Sequence, residues 1–128
     1  MTDWQNTVLI VEDDMILAMV LERMITKLDY SVVGKDSTGQ GAIDSATELK
    51  PDLILMDIQL KDNIDGINAM HEIRNTSDVP VIYITGNSDE YNQSRAKETN
   101  YIDYLVKPIQ MGDLKVSIDK AFDTQGVL

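Results

Sequence analysis

Five chemically active side chains follow short, mostly apolar runs in this sequence of 128 residues. Glu12 and Asp13 follow residues 7–11, Asp57 follows 53–56, Thr85 follows 79–84, and Lys107 follows 101–106. Runs of this kind are typical of strands that are buried on both faces of a parallel sheet. The carboxyl ends of such strands face the binding crevice of an open sheet, so we expect these side chains to meet at one edge.

Carboxylates gathered at such an edge repel one another, by about 4 kcal/mol for a pair ~4 Å apart at an effective dielectric constant near ~20. A divalent cation relieves this repulsion, and oxygen ligands without cysteine or a nearby histidine favour Mg²⁺ or Mn²⁺. Such an ion leaves positions open for phosphate oxygens, which indicates phosphoryl transfer. An oxygen of Asp57 could attack a phosphoryl group, and Mg²⁺, Lys107 and Thr85 could each meet an oxygen of the resulting aspartyl phosphate. Taken alone, Asp57 could instead cap a helix or a turn.

Strand and helix patterns alternate five times along the chain, which predicts an α/β fold. Strands are expected at 7–11, 31–34, 53–57, 79–84 and 101–106, and helices at 14–28, 38–49, 65–73, 88–99 and from about 111 onward. This order demands right-handed crossovers, and it predicts a doubly wound (βα)5 domain in which helices cover both faces of a five-stranded parallel sheet. The second strand is expected at an edge of the sheet.

Apolar residues recur at steps of three and four in the helices, which predicts the faces that pack on the sheet. In the first two helices these residues are Leu17, Val20, Leu21, Met24, Ile25 and Leu28, then Ala42, Ile43, Ala46 and Leu49. The methionines at 15, 19, 24, 56, 70 and 111 are interpreted as packing residues. The fourth helix has mainly Tyr91 and Ala96 to bury, so we expect it to be weakly anchored and able to move.

The composition limits the partners that the chain can have. Its 22 acidic and 11 scattered basic residues give a net charge of −11, which disfavours direct binding to nucleic acid or to an anionic membrane. Cysteine is absent, which is compatible with a reducing cytoplasm, where we expect the protein to act. Neither a signal peptide at residues 1–6 nor a run long enough to span a membrane is found. We therefore expect residues 1–128 to form a single domain without an output domain.

Four motifs at the ends of the predicted strands match a known family. They are Val-Glu-Asp-Asp at 11–14, Met-Asp-Ile at 56–58, Ile-Thr-Gly at 84–86 and Tyr-Leu-Val-Lys-Pro at 104–108. Their order and position closely resemble the receiver domain of two-component response regulators, and the resemblance covers essentially the whole chain. This resemblance implies a flavodoxin-like strand order of 2-1-3-4-5 and a single-domain protein similar to the chemotaxis regulators.

The resemblance implies a role for each motif residue. Asp57 would be the phosphoacceptor, and it would share a Mg²⁺ ion, or Mn²⁺, with Glu12, Asp13 and the backbone carbonyl of Gln59. Thr85 and Lys107 would hold phosphoryl oxygens. Tyr104 matches an aromatic residue that turns inward when the threonine shifts, and the Lys107–Pro108 peptide bond is expected to be cis.

The resemblance also implies a regulatory phosphoacceptor that is not an enzyme, beyond assisting its own phosphorylation and dephosphorylation. A histidine kinase or a histidine phosphotransfer protein would supply the phosphoryl group. The last two helices and the fifth strand would then present a changed face to a downstream protein, with the chain a monomer or a weak, phosphorylation-dependent dimer. A shuttle in a phosphorelay remains an alternative. The sequence departs from the family in the loop after Asp57, where Leu60-Lys61 and one extra residue precede Asp65-Gly66, and before Tyr104, where residues 99–101 are Thr-Asn-Tyr.

Two other classes of protein use the same architecture. A metal-dependent phosphatase of the haloacid type should carry a second aspartate two residues after Asp57, where Gln59 stands. A flavin carrier should have a Ser, Thr or Gly phosphate loop after the first strand, where the acids at 12–14 have the opposite charge. A receiver that serves only for docking is a further alternative, although the full set of site residues argues against it. Asp14 is expected to cap the first helix, and His71 to lie on the surface.

Overall fold

The computed structural model describes residues 6–87 and 89–126, and of residues 123–126 only the backbone. The predicted features at residues 1–5, and Ser88 in the predicted fourth helix, lie outside this part of the chain. Within it, strands and helices alternate as predicted. The elements are β1 (Thr7–Val11), α1 (Met15–Lys27), β2 (Ser31–Asp36), α2 (Gly39–Leu49), β3 (Leu53–Asp57), α3 (Gly66–Ile73), β4 (Val81–Thr85), α4 (Glu90–Lys97), β5 (Asp103–Val106) and α5 (Met111–Gly126).

The strands form one parallel sheet in the order β2-β1-β3-β4-β5, which confirms the flavodoxin-like, doubly wound topology. Alternate residues of the central strands point to opposite faces, as the period of a strand requires. Leu9, Ile54 and Tyr83 pack in a core with α2, α3 and Ala96 of α4, whereas Ile10 and Leu55 pack in a second core with α1 and α5. Helices therefore cover both faces, as expected.

Several bounds and side-chain positions differ from the predictions. Val20 and Leu49 are each 42% exposed, so neither belongs to the core. Val20 lies at the margin of the stripe that α1 presents to the sheet, and Leu49 is the last residue of α2, where Lys50 turns the chain away in a left-handed conformation (φ 47°). The prediction that Met15 and Met19 are packing residues is also wrong, because their side chains are 76% and 53% exposed.

The two edge strands also have other bounds than the sequence predicts. β2 continues to Asp36, because it pairs along the full length of β1. β5 begins only at Asp103, because the chain leaves the turn at 98–99 through Asn100 in a left-handed conformation (φ 57°), and residues 101–102 do not yet have strand geometry. Both differences come from strand pairing and turn geometry, which local composition does not encode.

Polar contacts anchor α4, which has Ala96 as its only buried residue. The Arg95 guanidinium reaches Asp65 Oδ2 at 2.9 Å and so joins α4 to the residue that caps α3. Just after α4 in the chain, the buried hydroxyl of Thr99 forms a hydrogen bond of 2.7 Å with the hydroxyl of Tyr83. Among the described residues, no helix has the length and hydropathy that a membrane span requires.

Candidate functional site

Parallel strand ends bring the predicted site residues to one edge of the sheet. Asp57 is the last residue of β3 and pairs with Ile84 of β4, and Glu12 directly follows β1, the strand on the other side of β3. Thr85 is the last residue of β4. The backbone N–H of Lys107 donates to the Thr85 carbonyl at 2.7 Å, which fixes the start of the loop after β5. The register of neighbouring strands thus positions each side chain.

Glu12, Asp13 and Asp57 form a compact acidic cluster. Each offers an oxygen that lies within 4.8 Å of the oxygens from the other two. Glu12 and Asp57 are only 3% exposed, whereas Asp13 is half-buried and opens the cluster to solvent. Three convergent oxygen donors of this kind fit Mg²⁺ or Mn²⁺, which bind one or two carboxylates and keep other positions for water and phosphate.

Burial disfavours the charged form of two acids in the cluster, Glu12 and Asp57. The pKa of Glu12 is raised to about 7, chiefly by burial and further by the charge of Asp57, although the Asp14 backbone N–H, donating to Glu12 Oε2 at 3.0 Å, lowers it. Burial also raises the pKa of Asp57, while Lys107 opposes that rise. A divalent cation would stabilise the ionised form of both groups. The donor set and its electrostatics therefore both fit a metal.

Lys107 closes the cluster from the side of β5. Its Nζ lies 3.0 Å from Glu12 Oε1 and 3.2 Å from Asp57 Oδ2. Burial lowers the pKa of Lys107, but the close ion pair with Glu12 and the charge of Asp57 outweigh this effect and raise it, so the ammonium stays charged. The Lys107–Pro108 peptide bond is cis in this structure.

Among the described residues, the hydroxyls of Thr85 and Tyr104 make no hydrogen bond to the cluster. The Thr85 hydroxyl donates to the Asn87 carbonyl at 3.0 Å and accepts from the Asn87 N–H at 3.2 Å. The half-buried Tyr104 ring packs against Tyr83 and Tyr101, with centroids 6.3 Å and 5.9 Å away. Its hydroxyl is buried and has no hydrogen-bond partner among the described residues. The predicted switch pair is thus held by neighbours other than Asp57.

The loop between β3 and α3 (residues 58–65, hereafter the β3–α3 loop) contains site features that sequence reasoning missed. Gly66 just beyond it must be glycine, because a Cβ there would overlap the Asp57 carbonyl oxygen. The Asp65-Gly66 pair marks the start of the predicted helix and the end of the family's loop, but the pair alone does not show that the glycine lies against Asp57. Asp62 bonds to the first turn of α2, about twenty residues earlier in the chain, so no local signal could have revealed it. Gln59 is exposed in the same loop.

Together these features define an open α/β domain with a buried aspartate, two companion acids and a lysine at the carboxyl edge of the sheet. Residues 8–119 match the family described as the response regulator receiver domain, so the chain belongs to that family. The prediction made from the four motifs is therefore confirmed. Receiver domains serve two-component signalling, and phosphorylation and Mg²⁺ binding are general features of the family.

Individual relatives agree with this assignment. The transcriptional regulatory protein PdtaR of Mycobacterium tuberculosis is 36% identical over 114 residues, which are 89% of this chain and 55% of PdtaR. The signal receiver domain of a modulated diguanylate cyclase from Desulfovibrio desulfuricans G20 is 34% identical, with a TM-score of 0.87 and coverage of 94% of this chain and 96% of that one. The chain spans about half the length of the curated relatives it matches.

One similar structure carries a bound metal ion. The receiver domain of the sensor histidine kinase PA1611 from Pseudomonas aeruginosa PAO1 has a magnesium ion coordinated in its active-site cleft. It is 30% identical to this chain, with a TM-score of 0.83 and coverage of 93% of this chain and 98% of that one. The fold that surrounds the acidic cluster is thus shared with a protein that holds Mg²⁺.

Proposed function

We propose that this chain is a phosphorylation-dependent signalling switch that accepts a phosphoryl group on Asp57. The observation that carries the proposal is the buried Asp57 carboxylate, which lies 3.2 Å from Lys107 Nζ inside an acidic cluster that fits Mg²⁺. A phosphohistidine on a kinase or phosphotransfer protein is the proposed donor. An Asp57 oxygen forms the new P–O bond, the P–N bond of the donor breaks, and the imidazole nitrogen keeps the electron pair and takes up a proton.

The ligands proposed for Mg²⁺ are Glu12, Asp13, Asp57 and the backbone carbonyl of Gln59. When bound, the ion supplies positive charge where the acids and the phosphoryl oxygens meet. Lys107 already contacts both buried acids, so its ammonium can follow one phosphoryl oxygen with little movement. A flexible cationic side chain suits this role, because it remains charged throughout the transfer.

The proposed output begins at Thr85. To bind a phosphoryl oxygen, its hydroxyl must leave the Asn87 backbone, which frees the loop that leads into α4. The Tyr104 hydroxyl has no bond to a described residue, so the tyrosine can turn without breaking one. Since Ala96 is the only buried residue of α4, the helix can shift and so alter the face formed by α4, β5 and α5. A downstream protein would recognise that face.

The donor protein is proposed to dock beside α1. Met15, Ile16, Met19 and Val20 are exposed and form an apolar row on α1, which starts directly after the acids of the cluster. A row of this kind next to a reactive site suits contact with another protein, because its burial is favourable only when a partner covers it. We place this reaction in the cytoplasm, with which the absence of cysteine is compatible. A phosphorelay shuttle would use the same site and the same surface.

Phosphoryl uptake tests the proposal. The protein is incubated with acetyl phosphate with and without Mg²⁺, and intact-mass spectrometry counts the phosphoryl groups gained. We expect the parent protein to gain one phosphoryl group only when Mg²⁺ is present, and Asp57→Asn to gain none. The control, Asp78→Asn, alters an exposed carboxylate outside the acidic cluster and should behave like the parent. Uptake by Asp57→Asn, or no uptake by the parent with Mg²⁺, would contradict the proposal.

A further inference from the structure

The carboxylate of Asp62 ties the β3–α3 loop to the start of α2. Its Oδ1 accepts the backbone N–H of Gly39 at 2.9 Å, and its Oδ2 accepts that of Gln40 at 3.0 Å. N–H groups in the first turn of a helix have no partner within the helix, and the helix dipole favours a negative charge there. The bonds from Gly39 and Gln40 hold the pKa of Asp62 below its usual value. Asp62 therefore binds α2 with both oxygens.

The start of α2 is shaped to receive this loop. A Cβ at Gly39 would overlap the backbone carbonyl of Ile64, so the loop lies directly against the helix. Leu60 and Ile64 pack on the core under α2 and α3. The first residue of the loop, Ile58, is tied at both backbone groups: its N–H donates to the Ile84 carbonyl at 3.2 Å, and its carbonyl accepts the Gly66 N–H at 2.7 Å.

Gln59, whose carbonyl is the proposed backbone ligand for Mg²⁺, follows Ile58 and precedes Asp62 by three residues. The span that carries this carbonyl is thus held between the fixed backbone of Ile58 and the Asp62 carboxylate. Without that carboxylate, the middle of the loop keeps the apolar contacts of Leu60 and Ile64 but loses both hydrogen bonds to α2. More loop conformations become accessible, and the carbonyl spends less time in the ligand position.

We propose that Asp62 is a positioning residue for the metal site, which it supports by clamping the β3–α3 loop onto α2. This inference rests on the proposed function, because it assigns Asp62 to the Mg²⁺ site described there. Asp62 does not contact the ion; it acts through the Gln59 carbonyl. Residues that orient the ligands of a metal typically change its affinity by about 10- to 100-fold when they are removed. We expect an effect at the lower end of this range, because one of the four proposed ligands is involved.

Calorimetric titration with Mg²⁺ separates this clamp from a simple effect of charge. Asp62→Ala removes both acceptor oxygens, whereas Asp62→Asn removes the same charge and keeps one oxygen that can accept an α2 N–H. Asn63→Ala, at an exposed position in the same loop, serves as the control. We expect the Kd for Mg²⁺ to rise roughly tenfold in Asp62→Ala and distinctly less in Asp62→Asn, with Asn63→Ala unchanged. Amide exchange at Gly39 and Gln40 should accelerate in Asp62→Ala.

The outcomes distinguish the clamp from the proposed function. Equal losses of affinity in Asp62→Ala and Asp62→Asn would mean that only charge matters, and an unchanged Kd in Asp62→Ala would mean that the loop needs no clamp; either result overturns the inference. If the parent protein itself binds no Mg²⁺, the proposed metal site fails, and this inference fails with it. At saturating Mg²⁺ the phosphorylation rate of Asp62→Ala should return to that of the parent, since the acceptor itself is intact.

Discussion

Replacing Glu12 with glutamine should stabilise the metal-free protein at alkaline pH and change it little at acidic pH. Burial, and secondarily the charge of Asp57, raise the pKa of the Glu12 carboxyl from an ordinary 4.5 to about 7. The folded protein therefore binds this proton more tightly than the unfolded chain does, and stability falls as the pH rises between these two values. At about 1.4 kcal/mol per pH unit, the loss is about 3 kcal/mol once Glu12 is fully ionised in both states.

Glutamine imitates the protonated carboxyl, since it carries no charge and its amide oxygen can accept from the Asp14 N–H. It therefore avoids the loss at high pH. The difference in free energy of unfolding between Glu12→Gln and the parent should be near zero at about pH 5 and reach up to about 3 kcal/mol in favour of the variant at about pH 8. Taking this difference cancels the titration of groups that do not interact with Glu12; Asp57 and Lys107 are its titrating neighbours.

Urea denaturation in the presence of a chelator measures the difference, with a matched variant, Glu48→Gln, at an exposed position of α2. The control should show no trend with pH. A Glu12→Gln difference that stays flat across the pH range, or a variant less stable than the parent at alkaline pH without metal, would refute the reasoning. With saturating Mg²⁺ the order should reverse, because the parent gains a ligand that the variant lacks.

Three further predictions concern the loop, α4 and the metal. Gly66→Ala should lower the free energy of unfolding by about 3 kcal/mol or more in urea denaturation, because the new Cβ meets the Asp57 backbone, which cannot move aside as a side chain could. Arg95→Ala should accelerate amide exchange throughout α4 and cost about 0.5–1 kcal/mol, since it removes a partly exposed ion pair with Asp65. Mg²⁺ should raise the melting temperature in thermal scans at neutral pH, and the rise should shrink as the pH falls below about 7, where Glu12 takes up a proton in the metal-free protein.

Each of these predictions has a control or a contradicting result. Gly112→Ala, where an added Cβ meets no atom within 4 Å, should leave stability unchanged or slightly improved. Lys97→Ala, at an exposed position in α4, should not accelerate exchange in that helix. Parent-like stability of Gly66→Ala, slow exchange in Arg95→Ala, or a Mg²⁺ effect that grows toward acidic pH would each contradict the corresponding argument.

The sequence predicts the sheet and its active edge because both depend on local patterns. Each apolar run that ends in a polar residue became a strand, and the parallel order then required Glu12, Asp57 and Lys107 to meet. The helical faces were predicted less completely. Val20 follows the same spacing as its buried neighbours, but it is exposed. The width of the helix face that the sheet covers depends on tertiary packing, which the sequence of one helix does not encode.

Long-range polar contacts explain the rest of the difference. Asp62 finds its partners in α2, and Arg95 finds Asp65 across thirty positions of sequence, so neither contact has a signature in the residues around it. The direction of the Thr85 hydroxyl is likewise set by the turn at Asn87. The fourth helix was correctly interpreted as polar, but its anchoring through Arg95 was not anticipated.

The proposed function depends most directly on which residue carries the phosphoryl group. After incubation with acetyl phosphate and Mg²⁺, borohydride reduction converts an aspartyl phosphate into a stable alcohol that tandem mass spectrometry can locate in a peptide. We expect the reduced residue at position 57 and nowhere else, and none when Mg²⁺ is withheld. Reduction at another carboxylate, or a phosphoryl group that is gained but cannot be reduced, would contradict the assignment of Asp57 as the acceptor.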